Sequence, residues 1–125
     1  MKRDIISVLD MKDDFEAIIA NAIKMKKELR SPKKGSKADP LKGMILGMVF
    51  EKPSLRTRIS FEVGMTQLGG KAIYISPDEV GIGKRESAHD VANVLSRYVS
   101  AIMYRAFSNK SIRELAAHAQ VPVIN

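Results

Sequence analysis

The chain has 125 residues, contains no cysteine and carries a formal net charge of +7 at pH 7. This length predicts one domain with a modest core, and the lack of cysteine excludes disulfide bonds, a thiolate nucleophile and a cysteine-ligated zinc site. No apolar run reaches the roughly 18 residues of a membrane helix, and the N-terminus lacks the long apolar stretch of a signal peptide. We therefore expect a cytoplasmic protein without a membrane partner.

The two histidines, His89 and His118, are too few to build a metal site without help from carboxylates. We expect His89 to be an exposed helical residue and His118 to lie near a helix end, neither with a functional role. No metal is therefore predicted.

Much of the positive charge lies in one basic cluster at the end of the first predicted helix and in the loop after it: Lys24, Lys26, Lys27, Arg30, Lys33, Lys34 and Lys37. We interpret the cluster as a solvated surface whose cations favour a helix C-terminus. A basic module that binds nucleic acid or another anion is the alternative, although the cluster has no interleaved aromatic residues for base stacking. A regulatory or scaffolding fragment is a third reading.

The first predicted element is a helix over residues 13–30. Asp13 and Glu16 have the spacing of a capping box, and apolar residues recur every three or four positions as an amphipathic stripe. The segment SPKKGSKADP, residues 31–40, contains two prolines and a glycine, which predicts an exposed loop.

The segment MILGMVF, residues 44–50, is continuously apolar, which predicts a strand buried on both faces of a parallel sheet. Residues 56–68 predict a helix with two apolar rows, which we expect to be well buried. Gly69 and Gly70 end this helix.

The alternation repeats further along the chain. Residues 71–76 predict a strand, residues 77–86 a loop with mixed charge, residues 87–98 a helix capped by Ser87, and residues 101–106 a third strand.

The last predicted helix begins with a capping box formed by Ser111 and Glu114 and ends near Ala119. The segment VPVIN, residues 121–125, predicts a fourth strand. This order indicates an α/β fold, a three-layer domain with a parallel sheet of about four strands flanked by helices and joined by right-handed crossovers.

Polar residues stand out where the first strand gives way to the second predicted helix. Ligands of open α/β sheets bind outside the carboxyl ends of the strands, and a helix beginning at Ser54 or Leu55 directs its free N–H groups there. Ser54, Arg56 and Thr57 add hydroxyl and guanidinium donors. Arg105 closes the third strand and belongs to the same edge, so the sequence predicts an anion site.

The two arginines of this segment have different predicted roles. Helical residues advance by about 100°, so Arg56 and Arg58 face nearly opposite ways. We assign Arg56 to the ligand and Arg58 to support, paired with Glu62 four residues on. The alternative is that both are surface or ion-pair residues around an ordinary helix cap.

The segment GIGKR, residues 81–85, is rich in glycine and basic but is not a P-loop. Asp78 stands where the first glycine of that motif belongs, and Lys84 is followed by Arg85 instead of a hydroxyl residue. No G-x-G-x-x-G segment follows a strand, so a dinucleotide cofactor lacks support.

Three segments carry a resemblance to a known family. FEKPSLRTRISFEVGMTQLGG resembles the carbamoyl-phosphate motif of the aspartate and ornithine carbamoyltransferases, whose core is Ser-Thr-Arg-Thr-Arg. VLSRYVSAIMYRAFSN and VPVIN look like later segments of that family, nearer its ornithine branch. The resemblance covers nearly the whole chain, from LDMKDDFEAII onward.

The resemblance implies roles for named residues. Ser54, Leu55, Arg56 and Thr57 would hold the phosphate of carbamoyl phosphate through backbone and side chains. Thr57 and Arg105 would polarise the carbonyl oxygen while the amine of ornithine attacks the carbonyl carbon, giving citrulline and phosphate. Arg56, Thr57 and Arg105 are thus the implied catalytic residues, and no metal or organic cofactor is implied.

The resemblance also implies how the chain relates to a whole enzyme. Residues 1–125 would be the carbamoyl-phosphate-binding domain, with the amino-acid-binding domain absent from this chain, so that ornithine binds only through the missing domain. A homo-oligomer, a trimer in the family, is implied, with no nucleic acid partner and a place in arginine metabolism. We expect no transferase activity from these residues alone, and the choice between ornithine and a related amine such as putrescine stays open.

Two positions depart from the pattern of the family. Leu55 replaces the usual threonine of the motif. This replacement weakens substrate binding little if the site uses only the backbone N–H of that position. Gly81 stands where ornithine enzymes usually carry a glutamine that reaches the site of a neighbouring subunit. Lys84 or Arg85 is the hypothetical substitute for that inter-subunit contact.

Overall fold

A computed structural model describes residues 2–31 and 39–125. Its strands are β1 (Ile45–Phe50), β2 (Lys71–Ile75), β3 (Ala101–Arg105) and β4 (Val123–Ile124). These strands form one parallel sheet in the order β2-β1-β3-β4. The predicted parallel sheet of about four strands is therefore confirmed, with β1 and β3 at its centre.

Helices lie on both faces of this sheet. They are α1 (Phe15–Arg30), α2 (Leu55–Gln67), α3 (Pro77–Val80), α4 (Ala88–Ser96) and α5 (Asn109–His118), preceded by a short 3₁₀ helix at Val8–Met11. The α/β fold class and its three layers are confirmed, because separate apolar clusters form on the two faces of the sheet.

Alternate residues of the central strands supply these two clusters. Val49, Ile102 and Tyr104 pack on one face with α4 and α5, where they contact residues such as Val91 and Leu115. On the other face lie Leu46, Met48, Phe50 and Met103, with Phe61 and Met65 of α2 packed against them. Burial on both faces explains why β1 reads as a continuous apolar run instead of an alternating one.

The expectation that the second helix is well buried is wrong. No residue of α2 is buried, and Ile59 and Val63 are 48% and 43% exposed. Only the row that contains Phe61 and Met65 reaches the sheet. The second apolar row faces outward, where no described part of the chain covers it.

The two capping boxes predicted at helix starts are also wrong. The first helix begins at Phe15, and its N-cap, Asp14, makes no side-chain hydrogen bond to the helix. The last helix begins at Asn109, because Ser108, three residues before Ser111, is the N-cap and its hydroxyl accepts the Ser111 N–H at 3.2 Å. Two serines with this spacing offer alternative caps, and the earlier one adds a turn of helix.

Besides the 3₁₀ helix at Val8–Met11, two further features were absent from the sequence prediction. The predicted loop 77–86 contains the four-residue helix α3, whose start is capped by a capping box of Ser76 and Glu79. The N-terminal segment extends the sheet, because Ile5 pairs in parallel with Ile124 and donates its N–H to the Val123 carbonyl at 2.8 Å.

The predicted exposed loop 31–40 falls mostly outside the described residues, as do Lys33, Lys34 and Lys37 of the basic cluster. The remaining members of the basic cluster are exposed on α1. Within residues 2–31 and 39–125, no helix is both long enough and apolar enough to span a membrane.

Candidate functional site

A crevice of about 430 Å³ opens at the carboxyl end of the central strands. It lies between the start of α2 and the end of β3, the edge at which the sequence predicts an anion site. The residues that line it are Arg56, Thr57, Ser60, Phe61, Met103, Arg105 and Asn125. Arg56, Thr57 and Arg105, from two different elements, therefore meet at one cavity.

Ser54 sets the geometry of the first turn of α2. It is the N-cap, with an extended backbone, and its Oγ accepts the Thr57 N–H at 3.4 Å and donates to the Thr57 Oγ1 at 3.0 Å. The first backbone bond of the helix is donated by the N–H of Arg58 to the Ser54 carbonyl. The N–H groups of Leu55 and Arg56 thus precede the intrahelical ladder and are available to an anion.

Arg105 brings a second guanidinium to the crevice from the neighbouring strand. It is the last residue of β3 and stands in register with Phe50, the last residue of β1. Its Nε is shielded from solvent and has no hydrogen-bond partner among the described residues. A buried donor without a partner is costly, and Arg105 lines the crevice, so a rotation of its guanidinium toward an acceptor bound there would satisfy this donor.

Arg58 lies apart from the crevice, on another side of α2. Its Nε contacts the Glu62 Oε2 at 3.2 Å, and its guanidinium sits 4.0 Å from the centre of the Tyr74 ring. The structure therefore shows the expected pair with Glu62 and adds a cation–π contact with β2.

The structure does not bring the loop residues Gly81, Lys84 and Arg85 to the crevice. Gly81 ends α3 with φ +50°, and the side chain of Arg85 packs over it. Arg85 also donates from its Nη1 to the Asp78 carbonyl at 3.1 Å. Lys84 is exposed and forms no ion pair with any residue that the structure describes.

Four lining residues escaped the sequence reasoning: Ser60, Phe61, Met103 and Asn125. Helical spacing could have found the first two, since they follow Thr57 by three and four positions on the same face of α2. Asn125 depends on tertiary structure, because its side-chain amide donates to the Ile6 carbonyl at 2.9 Å and ties it to the N-terminal segment.

The two histidines do not line this crevice but contact each other. The rings of His89 on α4 and His118 on α5 are 4.8 Å apart, edge to face. His89 also contacts the Asp90 carboxylate at 3.3 Å. No set of three metal-ligating side chains occurs in the described ranges.

Chemically, the crevice is suited to a small anion. It combines two guanidinium groups, a threonine hydroxyl and the free N–H groups of a helix start, all of them hydrogen-bond donors. Such donors stabilise a phosphate and also an oxyanion that develops during a reaction.

Comparison with known proteins bears on this chemistry. Residues 3–125 match the sequence model of the family described as aspartate/ornithine carbamoyltransferase, carbamoyl-P binding domain. An ornithine carbamoyltransferase of Picrophilus torridus is 55% identical over 125 residues, and the match covers 100% of this chain and 39% of that protein. A catabolic ornithine carbamoyltransferase of Thermoplasma volcanium is 48% identical over 124 residues, which is 99% of this chain and 39% of that protein.

Solved structures agree with these relatives. The ornithine carbamoyltransferase from Pyrococcus furiosus superposes with a TM-score of 0.90 at 40% identity, over 98% of this chain and 39% of that one. The enzyme from Thermus thermophilus gives 0.82 at 39% identity, over 100% of this chain and 42% of that one. The chain thus spans about two fifths of the length of the relatives that it matches. It belongs to the aspartate/ornithine carbamoyltransferase family, whose carbamoyl-phosphate-binding domain it matches over nearly its whole length.

Proposed function

We propose that the crevice binds carbamoyl phosphate and that the complete polypeptide transfers the carbamoyl group to the side-chain amine of ornithine, giving citrulline and phosphate. The observation that carries the proposal is the meeting of Arg56, Thr57 and Arg105 at one cavity, in a chain whose family is defined by carbamoyl-phosphate binding. The relatives named ornithine carbamoyltransferase support ornithine as the amine.

The phosphate is held at the start of α2. The N–H groups of Leu55 and Arg56 point out of the helix, the Arg56 guanidinium adds a charge-assisted bond, and the helix dipole favours a dianion. Leu55 contributes its backbone alone, because its side chain is 76% exposed. Ser54 contributes by capping the helix, since its hydroxyl is already bonded to Thr57.

The carbonyl oxygen of the substrate lies between Thr57 and Arg105. The amine attacks the carbonyl carbon, negative charge moves to the oxygen, and the donors of these two residues stabilise it. The carbon–oxygen bond to phosphate then breaks, phosphate leaves with the bonding electrons, and the amine loses a proton. Arg105 is suited to this task because its Nε lacks a protein acceptor among the described residues.

A neighbouring subunit completes the site through the loop after α3. Lys84 is a better candidate for this contact than Arg85, whose guanidinium is engaged with the Asp78 carbonyl. A homotrimer, a cytoplasmic location and the lack of a nucleic acid partner stay predictions, as does the choice between a biosynthetic and a catabolic role.

Two matched arginine variants test the proposal in the complete native polypeptide. Calorimetric titration with phosphonoacetamide, a stable analogue of carbamoyl phosphate, should show at least about tenfold weaker binding for Arg56→Ala, because a charge-assisted bond contributes about 1.5–3 kcal/mol. Arg58→Ala should bind within about threefold of the wild type, since its guanidinium contacts Glu62 and Tyr74 outside the crevice and the exposed ion pair that it loses is worth under about 1 kcal/mol. Equal losses in the two variants would contradict the assignment.

The chain by itself is proposed to bind carbamoyl phosphate without transferring it, because the amine site belongs to a domain outside these residues. Citrulline formation by purified residues 1–125 would refute this part of the proposal.

A further inference from the structure

Glu51 joins the two segments that form the crevice. It follows β1 directly, and its backbone N–H donates to the Arg105 carbonyl at 3.0 Å. Its side-chain Oε2 accepts the Phe107 N–H at 2.6 Å. Both bonds cross from the end of β1 to the end of β3, one to Arg105 itself and the other to Phe107, two residues later.

These two bonds control the direction in which the chain leaves β3. Arg56 and Thr57 lie on the segment that continues from Glu51 into α2. Arg105 lies at the end of β3, which Glu51 contacts through both hydrogen bonds. The distance between the two groups of donors therefore depends on the carboxylate of Glu51. A shift of the turn 105–107 by one ångström would separate Arg105 from the substrate oxygen, and errors of that size are costly in catalysis.

A carboxylate near an anion site opposes the binding of an anion, so the negative charge of Glu51 must be offset by its surroundings. The Phe107 N–H neutralises part of this charge through a short hydrogen bond. The ammonium of Lys52, the next residue, lies 5.8 Å from the centre of the Phe107 ring. Glu51 thus holds the turn after β3 through the backbone of Phe107, and Lys52 holds it through the Phe107 ring.

We propose that Glu51 is a positioning residue of the carbamoyl-phosphate site: it acts through the backbone of Phe107 to keep the Arg105 guanidinium in the crevice with Arg56 and Thr57. This inference rests on the proposed function and adds to it a residue that does not line the cavity.

Three variants of Glu51 test it in the complete native polypeptide, with phosphonoacetamide as the probe. Glu51→Ala removes the acceptor, and Glu51→Asp keeps the charge but shortens the side chain by one methylene, so both should weaken binding about tenfold or more. Glu51→Gln retains an oxygen that accepts the Phe107 N–H and should stay within about threefold of the wild type. The matched charge control, Glu28→Ala on the exposed face of α1, should bind as the wild type does.

Each outcome decides the proposal. Wild-type affinity in Glu51→Ala, or equal losses in Glu51→Gln and Glu51→Ala, would overturn it, since neither fits an acceptor that positions a turn. If Glu51→Ala does not fold, the comparison of Glu51→Asp with Glu51→Gln decides instead. If the wild type itself does not bind the analogue, the proposed function fails. Crystal structures of the wild type and Glu51→Asp then test the positioning role. An Arg105 guanidinium that leaves the crevice in Glu51→Asp supports that role, and an unchanged one overturns it.

Discussion

Arg56 and Arg58 are separated by one residue, yet they have different neighbours. Arg56 lines the crevice, whereas Arg58 lies over Tyr74 and contacts Glu62. This difference was predictable because it follows from the angle between successive helical residues. The role of Glu51 was not, because it depends on a hydrogen bond between residues 56 positions apart.

Removing the side chains of the two exposed loop cations, Lys84 and Arg85, should have different effects on the KM for carbamoyl phosphate. In the complete native polypeptide, Lys84→Ala should raise the KM for carbamoyl phosphate about tenfold, the loss expected of one charge-assisted contact. Arg85→Ala should leave KM nearly unchanged, because its guanidinium is bonded to the Asp78 carbonyl. Steady-state kinetics measures both, and an unchanged KM for Lys84→Ala would exclude Lys84 from the site.

The burial of Tyr104 leads us to predict that the protein loses stability in alkaline solution. Burial raises the pKa of Tyr104 well above its usual value of 10.0, and the nearby Glu51 carboxylate raises it further. A raised pKa in the folded state means that the unfolded chain releases this proton first, so the free energy of unfolding falls as the pH rises above about 10.

The variant Tyr104→Phe should make alkaline denaturation less steep. Glu51 and Ser111 lie near the Tyr104 hydroxyl, but no hydrogen bond from it to a described residue has good geometry, so the variant should change stability at neutral pH by about 1 kcal/mol or less. Denaturant titrations at neutral pH and above pH 10 measure both effects, and an equally steep alkaline loss in the variant would contradict this explanation.

At the scale of the elements, apolar pattern was a better guide than cap motifs. Segment 44–50 was read as a buried strand because its apolar run has no interruption except Gly47, and β1 occupies Ile45–Phe50. The start of α5 was misplaced because Ser108 and Ser111 are both suitable caps. Helix α3 was missed because four residues are too few to show a period.

Two glycines at α2 form a matched pair for a stability test. Gly69 has φ +86°, and an added Cβ would lie 2.5 Å from the Asp39 Cβ, so Gly69→Ala should destabilise the protein by more than about 1 kcal/mol. Gly64 lies inside the helix with no atom within 4 Å of an added Cβ. Gly64→Ala should therefore stabilise it by about 0.5–1 kcal/mol.

Denaturant unfolding of the two glycine variants measures these opposite shifts. A stabilising Gly69→Ala would show that the left-handed turn after α2 is not needed to end this helix.

At the scale of the whole molecule, the sequence predicted the layers but not which surfaces they leave open. The sequence predicts an amphipathic stripe on α1, yet its members Phe15, Ile18 and Leu29 are 42–48% exposed. Periodicity shows that a helix has an apolar face, whereas only tertiary structure shows whether another element covers that face. The same limit explains the exposed outer row of α2.

Acid should destabilise the whole domain through carboxylates that accept hydrogen bonds at helix starts. Backbone N–H groups of Ser7 and Ile6 lower the pKa of Asp10 below its usual value, and the Ser76 N–H does the same for the pKa of Glu79. The Ser87 hydroxyl lowers the pKa of Asp90. Because the unfolded chain takes up these protons first, the free energy of unfolding should fall as the pH drops below about 4.5.

Thermal unfolding followed between pH 3 and pH 7 tests this prediction. Glu79→Gln should lose part of the acid dependence, whereas Glu28→Gln, on the exposed surface of α1, should keep it. Identical profiles in the two variants would show that the cap of α3 does not contribute.

The pairing of Ile5 with β4 has a consequence for how the molecule is made. Ile5 bonds to the backbone of Val123 and Asn125, so the segment around Ile5 cannot find these partners until residues 123–125 have been synthesised. A nascent chain leaving the ribosome can assemble β1, β2 and β3 while its leading segment still has no place to attach. Closing so long a loop is slow, so the leading segment should dock in the final step, and until then the outer edge of β4 stands open to other chains.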